Sequence, residues 1–293
     1  MKPYFQDEWV TIYHGDCRDV LPGLPPVDLV LTSPPYDNLR DYCGYSFDYT
    51  VLSRMLYEKT VDGGVVVWVV GDATIDGSET GTSLRQALRF MEVGFNLHDT
   101  MIWYKTNAFN FGSNNCYRQS FHYMFIFSKG HIITPNLIKD VPAKMRGKVE
   151  NGVRKHTNGI RDKVPDFVIG DNKKRDNVWL INGVTINYNH PAIFPEQLAA
   201  DHVVSWSNVN ALILDPFLGS GTTAVCAKKL NRRCIGIEIE EKYCEIAANR
   251  CRQSVMNFGQ PPDIRGENNG DNGRGIDEND TRTPENRLNL ETF

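Results

Sequence analysis

The segment at residues 211–230 constrains the fold of this chain more than any other. Residues 211–214 are a short apolar run typical of a buried strand, and residues 223–230 carry a helical pattern. Between them lies the sequence DPFLGSGTT. Glycines in such a turn let the backbone reverse tightly and approach a ligand, while the N-terminus of the following helix presents unpaired N–H groups. The segment therefore predicts a ligand-binding turn between a strand and a helix of an α/β sheet.

An acidic residue follows this turn at a spacing that is typical of nucleotide-binding sites. The next apolar run, residues 234–237, ends at Glu238, which is 17 positions beyond Gly221. An acid about this far from a glycine turn is where a nucleotide-type ligand places its ribose hydroxyls. The turn reads Gly-x-Gly without a third glycine, which makes a dinucleotide less favoured. On these residues alone any α/β nucleotide site stays open, including one for a nicotinamide cofactor.

A second motif, Ser33, Pro34, Pro35 and Tyr36, follows the apolar run at residues 27–31. The two prolines fix φ, bias Ser33 toward extended geometry and remove two backbone N–H donors. The carbonyls of Ser33 and Pro34 can therefore face a ligand. A hydroxyl, a carbonyl and an aromatic ring then emerge together from a strand end, which suits a flat ring that bears an amino group. The alternative is a Pro-Pro turn with a surface tyrosine.

Composition narrows the class of protein. The 293 residues are 41% apolar and 23% charged with a net charge of −4, which is ordinary for an enzyme with one large core. No apolar run approaches membrane-spanning length, and the start has no signal-peptide core. The seven cysteines include no Cys-x-x-Cys pair, which favours a reducing compartment and argues against structural zinc. We expect a cytoplasmic protein without a metal site.

The order of apolar runs predicts the fold class. Five candidate helices lie at residues 51–61, 83–93, 195–203, 223–230 and 241–255. Seven candidate strands lie at residues 9–13, 28–32, 65–70, 97–104, 121–127, 211–214 and 234–237. Their continuous apolar character and their alternation with helices predict an α/β fold with a doubly wound, mostly parallel seven-stranded sheet. No convincing helix separates residues 97–104 from residues 121–127, so these two strands are expected to form an antiparallel hairpin at one sheet edge.

Two regions lack this alternation of candidate strands and helices. Residues 130–189 lack a clear period, and within them residues 144–176 carry ten Lys or Arg against five Asp or Glu, a local balance of +5. Such a stretch can neutralise phosphates. The alternative is a solvated insertion without a partner. The tail at residues 257–293 is rich in Asn, Gly, Asp and Glu, and is predicted to be disordered or loosely attached.

Four segments taken together resemble the DNA amino-methyltransferases, which methylate exocyclic amines with S-adenosylmethionine. They are residues 33–36, residues 215–223, the sequence HPAIFPEQL at residues 190–198, and residues 15–17. The catalytic segment precedes the cofactor turn, which is similar to the order in the beta class. The resemblance covers roughly residues 9–252. It implies a Rossmann-like methyltransferase fold with a catalytic half at residues 1–129, an inserted target-recognition region at residues 130–189 and a cofactor-binding half at residues 190–256.

The resemblance also implies roles for individual residues. Ser33, Pro34, Pro35 and Tyr36 are the implied catalytic residues. S-adenosylmethionine is expected at Asp16, Cys17, His190, Phe194, Pro195, Asp215, Phe217, Gly219, Ser220, Gly221, Thr222 and Glu238. Double-stranded DNA is expected at Lys105, Lys144, Arg146, Lys148, Arg154, Lys155, Arg161 and Lys163.

The residue before the two prolines bears on which base is methylated. Within the family, adenine-N6 enzymes usually have Asp or Asn before the two prolines and cytosine-N4 enzymes usually have Ser, so Ser33 favours the N4 amine of a flipped-out cytosine. Adenine N6 is the alternative. An RNA or protein-glutamine methyltransferase and a catalytically silent nucleic-acid-binding module are the rival classes. The resemblance further implies a prokaryotic or phage origin. It leaves open whether the protein is a homodimer, as beta-class relatives often are, and whether a cognate restriction endonuclease is a partner or the enzyme acts alone.

Overall fold

The computed structural model of the protein describes residues 1–35, 48–107, 117–155, 159–184 and 195–253. The helices in these ranges are α1 (Cys17–Val20), α2 (Tyr49–Lys59), α3 (Thr82–Glu92), α4 (Glu196–Trp206), α5 (Thr222–Lys229) and α6 (Glu241–Gln253), with a 3-10 turn at Leu21–Gly23. The strands are β1 (Phe5–Gln6), β2 (Val10–His14), β3 (Val27–Thr32), β4 (Thr60–Val70), β5 (Thr74–Ile75), β6 (Ser78–Glu79), β7 (Asn96–Tyr104), β8 (Phe121–Ser128), β9 (Val141–Pro142), β10 (Val149–Glu150), β11 (Val153–Lys155), β12 (Arg161–Lys163), β13 (Phe167–Val168), β14 (Asn172–Lys173), β15 (Val178–Leu180), β16 (Leu212–Asp215) and β17 (Arg233–Glu238).

In the described part of the chain one large sheet has nine strands in the order β1-β2-β17-β16-β3-β4-β8-β7-β15. Its neighbours are parallel except for β1–β2, β4–β8 and β7–β8. All seven predicted strands are present, and the predicted antiparallel hairpin of β7 and β8 is confirmed. The predicted number of seven is wrong, because β1 and β15 add one short strand at each edge.

Helices cover the sheet on both faces, because the strands alternate apolar side chains to either side. Along β3, Leu29 and Leu31 belong to one apolar cluster together with residues of α4, α5 and α6, whereas Val30 belongs to a second cluster with residues of α2 and α3. The central strands β3 and β4 are thus largely apolar on both sides, as a sheet buried on both faces requires. This arrangement is the doubly wound α/β fold that the sequence predicts.

Helix boundaries follow local capping. Helix α2 begins two residues earlier than predicted because the Asp48 carboxylate accepts hydrogen bonds from the N–H groups of Thr50 (2.8 Å) and Val51 (3.4 Å). Helix α4 runs three residues further than predicted, to Trp206, and its last turn is buried. Among the described residues, no helix has both the length and the apolar character needed to cross a membrane.

The parallel strands place the sequence motifs on one side of the molecule. Strands β2, β17, β16, β3 and β4 all run in the same direction. We call the edge at which they end the carboxyl edge; β7 and β15 also end there, and the antiparallel β8 begins there. Ligands of open α/β sheets bind outside the carboxyl ends of the strands.

Residues 138–155 and 159–175 form a two-stranded antiparallel arrangement that we call the ribbon. Three short strand pairs follow one another along it: β9 with β14, β10 with β13, and β11 with β12. Further backbone hydrogen bonds join the pairs, such as Gly147 N to Ile169 O (2.8 Å) and Val164 N to Gly152 O (2.8 Å). The region that lacked a clear period in the sequence is therefore a ribbon followed by β15, which returns the chain to the main sheet.

Candidate active site

The two principal motifs meet at the carboxyl edge. Strands β3 and β16 are parallel neighbours, with Leu29 opposite Ile213 and Val30 opposite Leu214. Their last residues are joined directly, since the Thr32 hydroxyl donates a hydrogen bond of 2.7 Å to Oδ1 of Asp215. Ser33 and Pro34 follow Thr32, and the glycine turn follows Asp215. The Pro-Pro motif and the glycine turn thus emerge side by side although about 180 residues separate them.

Asp215 is a buried carboxyl group at the start of the glycine turn. Its Oδ1 atom accepts from Thr32 and also from the backbone N–H of Phe217, at 3.1 Å. Burial raises the pKa of Asp215 to about 6, even though the hydroxyls of Thr223 and Thr32 and the Phe217 N–H favour its ionised form. The residue has the position and partners of a group that orders the turn.

The glycine turn depends on backbone geometry that L side chains rarely adopt. Gly219 has φ 53° and Gly221 has φ 86°. A Cβ atom at Gly221 would lie 2.8 Å from the Cβ of Ala247 in α6. The close approach that the structure shows at Gly221 is to helix α6, and the approach of a ligand to this turn stays a prediction.

Glu238 closes the turn from the neighbouring strand. It lies at the end of β17 with its side chain almost fully buried, and its Oε2 atom accepts from Gly219 N (2.8 Å) while Oε1 accepts from Glu240 N (2.9 Å). Burial raises its pKa, and the nearby Asp215 carboxylate acts in the same direction, while the two backbone donors oppose the rise. A buried acid thus orders the turn and lies in the position predicted for a ribose acceptor.

The N-terminal motif joins the same edge. Gly15 follows β2 and donates its N–H to the Glu238 carbonyl at 2.9 Å. The Asp16 carboxylate caps α1 through Arg18 N (2.8 Å) and forms an ion pair with the Arg18 guanidinium (2.5 Å), which holds the pKa of Asp16 low. The Cys17 side chain is buried. Asp16 therefore lies beside the glycine turn, but Arg18 already binds both of its carboxylate oxygens.

An arginine that the sequence analysis missed holds the turn from α6. The Arg250 guanidinium donates to Ser220 O (2.7 Å), to Ser220 Oγ (3.2 Å) and to Oε1 of Glu196 (2.8 Å). Lys229 pairs with the other Glu196 oxygen at 2.9 Å. Burial opposes ionisation of Glu196, but Lys229 and Arg250 outweigh it and lower the pKa of Glu196. A charged residue in a helix gave no sequence signal, because such residues are usually solvated.

Other predicted cofactor residues fall into two groups. Ser220 and Thr222 are buried in the turn, and the half-buried Phe217 packs against the apolar cluster on the α2–α3 face. Pro195 is buried immediately before α4, where its carbonyl accepts from Ala199 N at 3.1 Å. The predicted cofactor residues His190 and Phe194 lie outside the described residues. The predicted catalytic residue Tyr36 and the tail at residues 257–293 lie outside them as well.

The hairpin contributes a basic pair to the carboxyl edge. The Lys105 ammonium lies 2.7 Å from Nε2 of His122 and 4.6 Å from the centre of the Trp103 ring. His122 in turn lies beside Gly71, whose Cβ position would be 3.4 Å from Cδ2 of its ring. Lys105 follows β7, which lies two strands beyond β4 in the sheet, and is therefore fixed at the same carboxyl edge at which the Pro-Pro motif emerges.

Asp72, which follows Gly71, has a structural partner. Its carboxylate accepts from the backbone N–H of Ser83 at 2.9 Å and from the Ser83 hydroxyl, and so caps α3. Within the described ranges no cluster of three or more His, Cys, Asp or Glu side chains could hold a metal ion.

The ribbon carries most of the predicted DNA-binding residues. The side chains of Lys144, Arg146, Lys148, Arg161 and Lys163 are all exposed. Arg154 and Lys155 lie on β11, opposite Asp162 and Arg161 of β12. Large apolar side chains are exposed as well, since Val149 and Val168 pair across the ribbon at 67% and 64% exposure. The ribbon thus presents a mixed basic and apolar surface.

A charged cluster anchors the root of the ribbon to α4. The Arg175 guanidinium binds Asp140 through Nε at 2.8 Å and Asp201 of α4 through a second nitrogen at 2.5 Å. Burial raises the pKa of Asp201 although Arg175 opposes the rise, whereas the exposed Asp140 has its pKa lowered by the same arginine. Arg175, part of the +5 balance in the sequence, therefore serves the fold.

These features define an α/β protein in which a glycine turn, ordered by two buried acids, lies beside the start of the Pro-Pro motif at the carboxyl edge. The sequence profile of the N6_N4_Mtase family, described as DNA methylase, matches residues 27–249. The chain belongs to this family: it is a DNA methyltransferase of the amino-methyltransferase group, and its cofactor is S-adenosylmethionine.

One curated relative agrees with this assignment, and two solved structures share the fold. The orphan methyltransferase M.BamHII of Bacillus amyloliquefaciens is 48% identical over 257 residues, which cover 83% of this chain and 92% of that protein. The solved PvuII DNA methyltransferase, described as cytosine-N4-specific, has a TM-score of 0.64 at 19% identity and covers 90% of this chain and 92% of its own. The M1.HpyAVI–SAM complex has a TM-score of 0.59 at 20% identity, with 83% and 98% covered.

Proposed function

We propose that this DNA methyltransferase acts site-specifically on duplex DNA and methylates the N4 amine of a flipped-out cytosine. The observation that carries the proposal is the junction of β3 and β16. There the Thr32–Asp215 hydrogen bond holds Ser33 next to the glycine turn, so that a bound base and a bound cofactor would meet.

The described residues fit S-adenosylmethionine. Two strand ends, those of β16 and β17, supply a buried acid, a turn of positive-φ glycines and the first N–H groups of α5, which suit ribose hydroxyls and the carboxylate of an amino acid. We assign Glu238 to the ribose hydroxyls, because each of its oxygens keeps one lone pair after binding a backbone N–H. We place the methionine part near Asp215 and Pro195. Asp16 is assigned to the adenine end, a role that requires Arg18 to release one carboxylate oxygen.

The chemistry needs positioning more than acid–base catalysis. Bound S-adenosylmethionine supplies an electrophilic methyl group on a sulfonium centre that leaves as a neutral thioether, so no strong general acid is required. The exocyclic amine of a base is a poor nucleophile because its lone pair is delocalised into the ring. Ser33 Oγ and the Pro34 carbonyl can accept its two N–H groups, which favours sp³ character and directs the lone pair. Such positioning can lower the activation free energy by about 7 kcal/mol or more when the reacting groups are well oriented.

Two further roles remain in the reaction, the acceptance of the amine proton and the stacking of the flipped base. A serine hydroxyl is a weak base, so we assign the departing amine proton to water. Tyr36 is assigned to stack on the flipped base, because it follows the two prolines and every base offers a π-face.

The choice of cytosine rests on Ser33, since family members with Ser before the prolines usually act on cytosine N4. The PvuII enzyme is described as cytosine-N4-specific, but at 19% identity its likeness concerns the fold alone. The test is mass spectrometry of nucleosides from amplified, unmethylated duplex DNA after incubation with the protein and cofactor. N4-methylcytosine is the predicted product, and N6-methyladenine without N4-methylcytosine would favour the alternative.

We assign the ribbon to DNA recognition. A two-stranded ribbon fits the major groove, and the exposed Lys144, Arg146 and Lys148 would reach phosphates while apolar side chains such as Val149 could contact thymine methyl groups. An isolated two-stranded ribbon is only marginally stable, so a partner surface would order it. Deletion of residues 144–172 should abolish duplex binding and leave cofactor binding unchanged. Retained duplex affinity would instead assign recognition to another surface.

A further inference from the structure

We propose that Thr32 is a positioning residue that couples the cofactor turn to the catalytic serine through Asp215. This inference rests on the proposed function and deepens it. Thr32 is fully buried and is the residue immediately before Ser33. Its hydroxyl donates to Asp215, the first residue of the cofactor turn. This hydrogen bond therefore joins the cofactor turn to the residue that is covalently bonded to Ser33.

The Thr32–Asp215 bond is the last link of a continuous chain across the carboxyl edge. Gly15 N donates to the Glu238 carbonyl at 2.9 Å, and the Glu238 carboxylate accepts from Gly219 N at 2.8 Å. Gly219 belongs to the turn that Asp215 begins. The chain therefore ends at Thr32, and the Pro-Pro motif has this side-chain link to the cofactor turn besides the ladder of β3 and β16.

The chemistry of the bond favours a role in positioning. A hydroxyl that donates to a buried carboxylate forms a charge-assisted bond, which is shorter and more directional than a neutral one. A valine has the shape of threonine without the hydroxyl, so it retains the packing and removes the link. Small misplacements of reacting groups, near 1 Å, can slow an enzyme about 100-fold.

We expect the loss of the Thr32 hydroxyl to lower the rate of methyl transfer and to leave cofactor binding almost unchanged. Thr32→Val should lower the single-turnover rate of methyl transfer to DNA by about 10- to 100-fold. Its cofactor dissociation constant, measured by calorimetry, should stay within about threefold of wild type, because Glu238 and the turn are unchanged. Thr32→Ser keeps a hydroxyl on the same carbon and should restore the rate to within about threefold of wild type.

A second readout does not depend on activity. In the cofactor-free protein, loss of the Thr32 donor should raise the pKa of Asp215 further, which carbon-13 NMR of labelled aspartate can follow. Among the residues that the structure describes, the other titratable groups near Asp215 are Glu238 and Cys234 on β17. Burial raises the pKa of the Cys234 thiol well above its usual value, so the thiol stays protonated. The pKa of Asp215 should be raised in Thr32→Val and unchanged in Thr32→Ser.

The outcomes distinguish this inference from the proposed function. If wild type binds the cofactor and transfers no labelled methyl group to amplified duplex DNA, the proposed function is overturned. If wild type transfers methyl groups and Thr32→Val matches its rate, only the coupling is overturned. The coupling is also overturned if Thr32→Ser is as slow as Thr32→Val, since packing rather than the hydroxyl would then be responsible.

Discussion

Replacement of Gly221 by alanine tests how the cofactor turn is held. The residue has φ 86°, and a Cβ atom there would lie 2.8 Å from Cβ and 3.0 Å from Cα of Ala247 in α6. The left-handed conformation costs an L residue about 1–2 kcal/mol. The overlap with α6 adds about 1–3 kcal/mol, because the backbone of a buried helix must shift. The free energy of unfolding should therefore fall by about 2–5 kcal/mol.

Gly130→Ala is the matched control. Gly130 has φ 73°, and a Cβ atom there meets nothing within 4 Å, so only the conformational cost of about 1–2 kcal/mol applies. Urea unfolding measures both variants, and calorimetry measures their affinity for S-adenosylmethionine. Gly221→Ala should also weaken cofactor binding, since α5 begins immediately after the displaced residue, whereas Gly130→Ala should not. Equal stability losses and equal affinities in the two variants would refute this account of the turn.

Three further predictions concern charge. Asp215→Asn removes a carboxyl whose folded-state pKa, about 6, lies above its unfolded value of 3.8, so the wild type loses stability as the pH rises through this window. The variant should therefore gain up to about 3 kcal/mol over wild type between pH 4 and 6, and the gain should stay constant above pH 6; a pH-independent difference would contradict this. Arg175→Ala should cost about 3 kcal/mol in urea unfolding because it leaves the buried Asp201 carboxylate unpaired, and a loss under about 1 kcal/mol would count against the ribbon anchor. Joint replacement of Lys144, Arg146 and Lys148 by alanine should reduce the salt slope of duplex binding by up to about 2.7, and an unchanged slope would remove these side chains from the interface.

The sequence predicted the strands and turns that carry the site because their signals are local. Continuous apolar runs and a Gly-x-Gly turn arise from constraints within about ten residues. The α/β class and the antiparallel hairpin follow from such runs. The side-by-side position of residues 33–35 and the glycine turn follows from the pairing of the parallel strands β3 and β16. Family resemblance supplied the order of the motifs.

Other features depend on contacts that no local pattern records. The ribbon has both faces exposed, so its strands lack the alternation of buried and solvated positions that marks a strand in a sheet. Strands β1 and β15 are two and three residues long, too short to show a period. Arg250 and Thr32 gain their roles from partners distant in sequence. A positively charged helix residue and a threonine at a strand end are common elsewhere, and only the fold pairs them with Ser220 and Asp215.

The most direct test of the central claim is a crystal structure of the protein with bound S-adenosylmethionine. A base amine held by Ser33 would be about 3 Å from Oγ and about 3 Å from the methyl carbon it attacks. The account therefore predicts the methyl carbon within about 6 Å of Ser33 Oγ and the ribose hydroxyls within hydrogen-bond distance of Glu238. A cofactor bound away from the glycine turn, or a methyl carbon more than about 10 Å from Ser33 Oγ, would contradict the claim that the two motifs form one methyl-transfer site.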